Sequence, residues 1–339
     1  MKIKPKRLRK GDKIAVVSLS SGSIGEESNI YRYNQGKKTL EESFELEVVP
    51  MPNCLKGKEW ARDHPELRAK DLMDAFKDKS IKAIITTTGG YDTIRLLPYI
   101  DYDVIKNNPK VFMGFSDTTA NHFMLNKAGL ISFYGPALAV ELSLSSIPSQ
   151  IIETIKETLF EKHNERELKH FNILANDPID WSERVLDIKE DKKGYEVLQG
   201  KGKAYGSLIG GCLEVLLMIN GTSIWPKLSD WKNKILALEI SDETTTPDIV
   251  KFFMLNLGAQ GILSQINGII VGRSKNGKFH EEYKEKIVEI CKYYGKQEMP
   301  IIYNCHFGHA WLWNILPIGC NIEIDCENRK LTLKENCVE

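Results

Sequence analysis

A serine that could act as a nucleophile lies at position 116, inside the stretch Lys110–Thr119. The apolar run Val111–Met113 predicts a buried strand, and the residues after Ser116 have helical composition. A strand-to-helix turn of this kind lifts a hydroxyl clear of the sheet and aims backbone N–H groups at a bound group. Thr118 stands where a Gly-x-Ser-x-Gly elbow would have its second glycine, so the local pattern alone favours a helix-capping serine.

A nucleophilic serine also needs a base and an acid that orients it. Four of the seven histidines lie in charged stretches and are expected at the surface: His64, His163, His170 and His280. His122 is expected to be structural, because it lies on the helix that follows the serine. His306 and His309 remain, in a loop directly after a predicted strand. With Cys305 they could instead bind a metal ion, but no carboxylate or second thiol accompanies them nearby.

Glu239 interrupts an apolar strand at its carboxyl end. A charge in such a place costs free energy unless it has a partner. One interpretation is a strand-end carboxylate turned toward water. The other is a carboxylate that orients an imidazole. The strand pattern leaves both open.

Composition excludes several classes of protein. Lysines and arginines number 46, as do aspartates and glutamates, so the 339-residue chain has no net charge to attract a nucleic-acid polymer or an anionic membrane. No apolar run is long enough to span a bilayer or act as a signal peptide, which predicts a cytoplasmic protein. The seven cysteines are scattered and are expected to be reduced, buried thiols.

Strands alternate with helices through the first half of the chain, which predicts a doubly wound parallel sheet. The predicted strands are 13–20, 46–50, 81–87, 111–113 and 131–134, and the predicted helices are 26–43, 65–76, 92–97, 117–127 and 149–160. In such a sheet the ligand lies beyond the carboxyl ends of the strands. Three small-residue turns fall there: Ser20–Gly22, Gly89–Gly90 and Gly114–Ser116.

The second half is organised differently. Residues 161–203 are charged and irregular and are expected to form a linker and an exposed loop, and 206–212 are expected to form a glycine-rich turn. Strands are predicted at 234–240, 268–272 and 300–304, helices at 247–257 and 281–294, and two edge strands within 321–333. We therefore expect an N-terminal nucleophile domain (1–160), a linker and loop (161–203), and a C-terminal domain (204–339) that carries Glu239 and the histidine.

A set of motifs in the same order resembles the LD-carboxypeptidase family of serine peptidases, and especially its microcin C immunity branch. The motifs are Gly11-Asp12, Thr88-Gly-Gly-Tyr91, Asn108 to Thr119, Tyr134-Gly-Pro136, Gly206 to Gly211, Leu238-Glu239, Gly308-His309 and Leu316 to Gly319. They cover nearly the whole chain. The resemblance implies a flavodoxin- or Rossmann-like N-terminal doubly wound parallel sheet and a C-terminal α/β domain with a β-barrel-like sheet.

The resemblance also implies a catalytic triad of Ser116, Glu239 and His309, in a cleft between the two domains. The oxyanion hole would be formed by the backbone N–H groups of Gly90 and Asp117. Substrate contacts are expected from Gly89, Tyr91, Cys212, Trp181 and Trp311. Cys212 departs from the asparagine usual there, and the two tryptophans could stack on a base or could be packing anchors.

The implied reaction is hydrolysis of an amide bond near a free carboxylate, with neither a metal nor a nucleotide cofactor. Two substrate classes compete: a peptidyl- or aminoacyl-nucleotide of the microcin C type, and the murein tetrapeptide that loses its terminal D-alanine during peptidoglycan recycling. A binding protein that keeps the scaffold without turnover is the non-enzymatic alternative. Family members often pair, so a homodimer is one expected state, and no membrane partner is expected.

Overall fold

The computed structural model describes residues 2–176, 185–191, 193–241, 244–309 and 314–339. The strands are β1 (Lys13–Val17), β2 (Glu47–Pro50), β3 (Ile81–Thr86), β4 (Val111–Gly114), β5 (Ser132–Tyr134), β6 (Arg166–Glu167), β7 (Ile173–Asn176), β8 (Asp187–Glu190), β9 (Glu196–Gln199), β10 (Lys203–Cys212), β11 (Lys234–Glu239), β12 (Gly268–Gly272), β13 (Ile301–Cys305), β14 (Leu316–Ile318), β15 (Asn321–Asp325) and β16 (Lys330–Leu333). The helices are α1 (Ile30–Phe44), α2 (Lys58–Asp63), α3 (Pro65–Lys77), α4 (Tyr102–Asn107), α5 (Thr119–Ala128), α6 (Ser149–Leu159), α7 (Leu213–Ile219), α8 (Pro247–Ala259) and α9 (His280–Tyr293).

The first sheet has the strand order β2-β1-β3-β4-β5-β14. Its first five strands are parallel, and their order is that of a flavodoxin-like doubly wound sheet. The parallel N-terminal sheet predicted from the sequence is therefore confirmed. β14 comes from the C-terminal part of the chain and pairs antiparallel with β5, so the two halves of the chain share this sheet.

The second sheet has the order β6-β16-β15-β10-β11-β12-β13-β9. Its four middle strands, β10 to β13, are parallel, and antiparallel strands flank them on both sides. β11 and β12 are apolar along nearly their whole length because both faces of the sheet are covered. Within the described residues, β6 and β9 pair only with their inner neighbours, so this barrel-like sheet is open.

The segment 161–203, expected to form a linker and an exposed loop, contributes to this sheet. β9 pairs with β13, and β6 pairs with β16. Leu168 and Tyr195 are buried, and the Tyr195 hydroxyl donates to the Leu168 carbonyl. The strands are short and polar on one side, so their composition alone is typical of a loop. The domain boundaries at 160 and 203 stay predictions.

Two further expectations for the second half are corrected. Residues 206–212, expected to form a turn, belong to β10, which pairs with β11 on one side and β15 on the other. Residues 321–333 form the hairpin β15–β16, which lies inside the sheet because β6 covers β16. In both places hydrogen bonds to distant strands decide the structure rather than local propensity. None of the described helices has the length and apolar character needed to cross a membrane.

Candidate active site

Ser116 lies directly beyond the carboxyl end of β4, at the start of a short 3₁₀ helix that leads into α5. Its φ angle is 62°, a left-handed conformation that is uncommon for a residue with a side chain. Strained backbone of this kind is concentrated at functional sites. The Ser116 N–H donates to the hydroxyl of Tyr134, 3.2 Å away. The strand-to-helix turn predicted from the sequence is thus present.

Glu239 is the last residue of β11 and is completely buried. Its Oε1 accepts hydrogen bonds from the Nδ1 of His309 and, at 2.5 Å, from the His309 backbone N–H. Its Oε2 accepts from the hydroxyl of Tyr134. The carboxylate is therefore turned toward an imidazole and not toward water. Because a carboxylate only accepts, Nδ1 carries the proton and Nε2 of His309 is left as an acceptor.

Burial by itself would raise the pKa of Glu239, but the charge and hydrogen bonds of His309 and the Tyr134 hydroxyl lower it below its usual value. Burial would likewise lower the pKa of His309, but the adjacent Glu239 charge and hydrogen bond raise it. The His309 side chain keeps 22% of its surface exposed, whereas Glu239 keeps none. The Glu239 carboxylate thus stabilises the protonated, imidazolium form of His309.

Gly308 makes the contact between His309 and Glu239 possible. Its φ angle is 93°, and a Cβ at this position would come within 2.4 Å of the Glu239 side chain. Only glycine therefore lets the loop after β13 lie flat against the carboxylate.

The glycine pair after β3 lies against the nucleophile turn. A Cβ on Gly89 would come within 2.7 Å of the Ser116 Oγ, so the two loops touch. Gly90 lines the same cavity as Ser116. The structure thus brings both glycines to the predicted place, beside the serine and at the carboxyl edge of the sheet.

The side chain of Asp117 ties these loops together, a role that the sequence did not reveal. Its buried Oδ2 accepts from Ser20 Oγ at 2.5 Å and from the backbone N–H groups of Asp92 and Thr93 at 2.9 and 2.8 Å. Arg68, buried on α3, supports the same loops through the carbonyl of Ser20 and the carboxylate of Asp92. The loops after β1, β3 and β4 are therefore held as one unit.

A cavity of about 370 Å³ opens between the carboxyl edges of the two sheets. It is lined by Gly90, Tyr91, Ser116, Cys212, Val215, Ser241, Lys275 and His309. A larger depression of about 940 Å³ lies at the opposite end of the second sheet, and no histidine is among its lining residues. The serine and the histidine of the candidate site thus line the smaller cavity.

The remaining predicted contact residues differ in their placement. Tyr91 is 65% exposed at the mouth of the cavity. Cys212 is buried in its wall, where its thiol lies 3.0 Å from Glu214 Oε2 and 3.1 Å from Ser241 Oγ. Trp181 and Trp311 lie outside the described residues.

Tyr134 lies within the candidate site, although the sequence predicts no role for it there. In the sequence it ends a predicted strand and begins a Tyr-Gly-Pro motif. In the structure its hydroxyl joins the Ser116 turn to the Glu239 carboxylate. Its ring is fully buried, and burial followed by the Glu239 charge holds its pKa well above the usual value, so the hydroxyl stays a donor. The sequence signal that could have identified Tyr134 is an apolar strand that ends in a tyrosine at the edge of the sheet.

Replacing Tyr134 with phenylalanine should leave Glu239 Oε2 buried without a donor among the residues that the structure describes. We expect a loss of about 1–3 kcal/mol in the free energy of unfolding and a kcat lower by about 10- to 100-fold, because the imidazole is held less firmly. Chemical denaturation and steady-state kinetics measure the two effects. Tyr195→Phe, another buried tyrosine with a hydrogen-bonded hydroxyl, is the matched control and should lose stability without losing kcat. Equal kcat losses in both variants would contradict the assignment.

Comparison with known proteins places this arrangement in a family. Residues 14–135 match the LD-carboxypeptidase N-terminal domain, and residues 205–324 match the LD-carboxypeptidase C-terminal domain. The crystal structure of an MccF-like protein from Streptococcus pneumoniae in complex with AMP is 34% identical, covers 96% of this chain and 99% of its own, and superposes with a TM-score of 0.87.

Two curated relatives carry different names. The microcin C7 self-immunity protein MccF of Escherichia coli is 30% identical over 79% of this chain and 78% of its own. A probable murein peptide carboxypeptidase of Bacillus subtilis is 27% identical over 79% of this chain and 74% of its own. The two matched domains cover most of the chain, and this chain therefore belongs to the LD-carboxypeptidase family of serine-type hydrolases.

Proposed function

We propose that this protein hydrolyses an amide bond with Ser116 as nucleophile, His309 as general base and Glu239 as the group that orients the imidazole. The supporting observation is that the buried Glu239 binds Nδ1 of His309 while His309 and Ser116 line one cavity. This leaves Nε2 of His309 as the acceptor for a hydroxyl proton. The three residues follow in the chain order Ser, Glu, His.

In the first half of the reaction the Ser116 Oγ attacks the carbonyl carbon while Nε2 of His309 takes its proton. The C–N bond then breaks, and the imidazolium gives that proton to the leaving amine. In the second half a water attacks the acyl-enzyme, with His309 again as base, and releases the acid and the free serine. Glu239 stabilises the imidazolium at both stages.

The oxyanion of each tetrahedral intermediate would accept hydrogen bonds from the backbone N–H groups of Gly90 and Asp117. Donors of this kind act where charge develops and need no reorganisation during the reaction. The hydrogen bonds of the Asp117 carboxylate to the loop after β3 support this role, since they hold that loop beside the nucleophile turn.

For the substrate we propose an aminoacyl- or peptidyl-nucleotide, cut at the amide that joins the amino acid to the nucleotide. The 34% identical relative solved with AMP supports a nucleotide-linked ligand. The murein tetrapeptide is the alternative, and the relative named as a murein peptide carboxypeptidase supports it. A cytoplasmic location and a homodimer remain part of the proposal.

The test is one mass-spectrometric assay with two substrates side by side, a murein tetrapeptide and an aminoacyl sulfamoyl adenosine. Cleavage of the adenylate alone is the expected result. Release of D-alanine alone would instead assign the protein to wall recycling. If the wild-type protein cleaves neither substrate, the proposed function is wrong, and a protein that binds either one without turnover would be a binding module.

The pKa of His309 predicts how activity depends on pH. The base must be neutral to take the serine proton, and its pKa lies above its ordinary value of 6.5. We therefore expect kcat/KM to rise with pH through a midpoint above about 6.5, since this profile reports the groups of the free enzyme. A pH profile of kcat/KM measures it. A midpoint well below that value would mean that another group is the base.

A further inference from the structure

A second cluster of ligating side chains lies outside the proposed catalytic site. His170 comes just before β7, Asp191 directly follows β8, and His306 directly follows β13. Their side chains are 12%, 2% and 3% exposed. His170, expected at the surface from the charged sequence around it, is thus largely buried. One ligand atom from each of these three residues lies within 4.8 Å of the other two.

The separations between these atoms match one face of a metal coordination sphere. The two Nε2 atoms are 3.0 Å apart, and Asp191 Oδ2 is 3.2 Å from the Nε2 of His170 and 3.7 Å from that of His306. Ligands about 2.0–2.1 Å from a tetrahedral Zn²⁺ lie about 3.4 Å from one another. An ion would therefore contact all three atoms after shifts of only a few tenths of an ångström.

Without an ion, the same side chains satisfy one another poorly. Two facing Nε2 atoms share a single proton, and the Nδ1 atoms of His170 and His306 are both buried without a hydrogen-bond partner among the described residues. An ion on the Nε2 side would leave both Nδ1 atoms as they are. It would replace the contact between the two Nε2 atoms, which needs a proton on one of them, with two ligand bonds.

The groups around Asp191 fit an outer shell. Arg273 Nη1 and Asn304 Nδ2 lie 3.2 and 3.3 Å from its Oδ2, and the Lys193 backbone N–H donates to its Oδ1. Partners of this kind orient ligating carboxylates. Arg273 also places a positive charge beside the cluster, so we expect weaker binding than at a three-ligand site without such a neighbour.

We propose that His170, Asp191 and His306 form a binding site for a divalent transition-metal ion of the Zn²⁺ type, with the fourth position left to water. Ions of this type bind well to two imidazoles and a carboxylate, whereas Mg²⁺ and Ca²⁺ prefer sites made of oxygen ligands. His306 lies three residues before His309 in the same loop. The bound ion would therefore link the 161–203 segment to the loop that holds the proposed base, while standing apart from the reaction itself.

Titration of the full, chelator-treated chain with Co²⁺ and Zn²⁺ tests this proposal independently of any substrate. We expect one Co²⁺ per chain with the intense visible absorption of a four-coordinate ion, displaced by Zn²⁺, and X-ray absorption showing two imidazole ligands. Absence of saturable binding in the wild-type protein would overturn the proposal. Thiolate coordination would also overturn it, because the ion would then be bound by one or more of the seven free cysteines and not by the proposed ligands alone.

Variants locate the ion. His170→Ala and His306→Ala should each weaken binding by at least about 100-fold, since even outer-shell changes cost about 10- to 100-fold. His163→Ala is the matched control: that histidine also faces a carboxylate, Glu161, but at the surface. It should bind as the wild type does. Retained binding in His170→Ala would refute the site, and if that variant does not fold, His170→Asn and the ligand count of the wild-type protein decide the question.

Discussion

Replacing Ser116 with alanine is expected to lower kcat by about 10⁴- to 10⁶-fold. In the proposed reaction the Oγ forms the acyl-enzyme, and Ser116 lines the same cavity as His309, the proposed base. Alanine is as compatible as serine with the φ angle of 62° at this position. The variant should therefore fold and keep its affinity for substrate while losing turnover.

The measurement is single-turnover hydrolysis of the substrate that the wild-type protein cleaves, together with a binding titration of the variant. Ser241→Ala is the matched control, because Ser241 lines the same cavity but hydrogen-bonds to Glu214. We expect less than about a 10-fold loss there. A Ser116→Ala protein that keeps a tenth of the wild-type rate, or a control that loses as much, would assign the nucleophile elsewhere.

Much of the fold could be predicted from hydrophobic patterning, because the strands of a doubly covered parallel sheet read as continuous apolar runs. β12 begins and ends where the sequence predicts, and β4 stops within one residue of the predicted strand. The same apolar runs also predict where the strands end. Ser116 and Glu239 are candidate site residues because each is a polar residue where an apolar run stops.

The parts that patterning could not predict depend on pairings between distant segments. β10 contains three glycines, a composition typical of a turn, yet it lies between β11 and β15. Tyr134 and Glu239 are 105 residues apart, and the hydrogen bond between them has no local sequence signal. His170 and His306 are 136 residues apart, so a search for metal ligands that are close together in the sequence finds only His306. Contacts of this range arise from the tertiary fold alone.

Replacing Glu239 with glutamine tests the other half of the proposed catalytic machinery. The amide would present an N–H₂ group or a weaker acceptor to Nδ1 of His309, where the carboxylate accepts from both Nδ1 and the backbone N–H. The imidazole would then favour the tautomer with its proton on Nε2, which cannot take a proton from Ser116. We expect kcat to fall by about 10⁴-fold, the cost of a wrong tautomer in a serine–histidine pair.

A pH profile separates this mechanism from simple structural damage. Burial lowers the pKa of His309, and the Glu239 charge is what raises it above the usual value. Glutamine removes that charge and leaves burial unopposed, so the midpoint of the residual kcat/KM should move to lower pH than in the wild-type protein. The Glu214 charge also raises the pKa of His309, but less than the Glu239 charge does. Glu214→Gln should therefore move the midpoint in the same direction by a smaller amount, which makes it a graded comparison. An unchanged midpoint in Glu239→Gln would show that Glu239 does not set the basicity of His309, the proposed base, even if the rate falls.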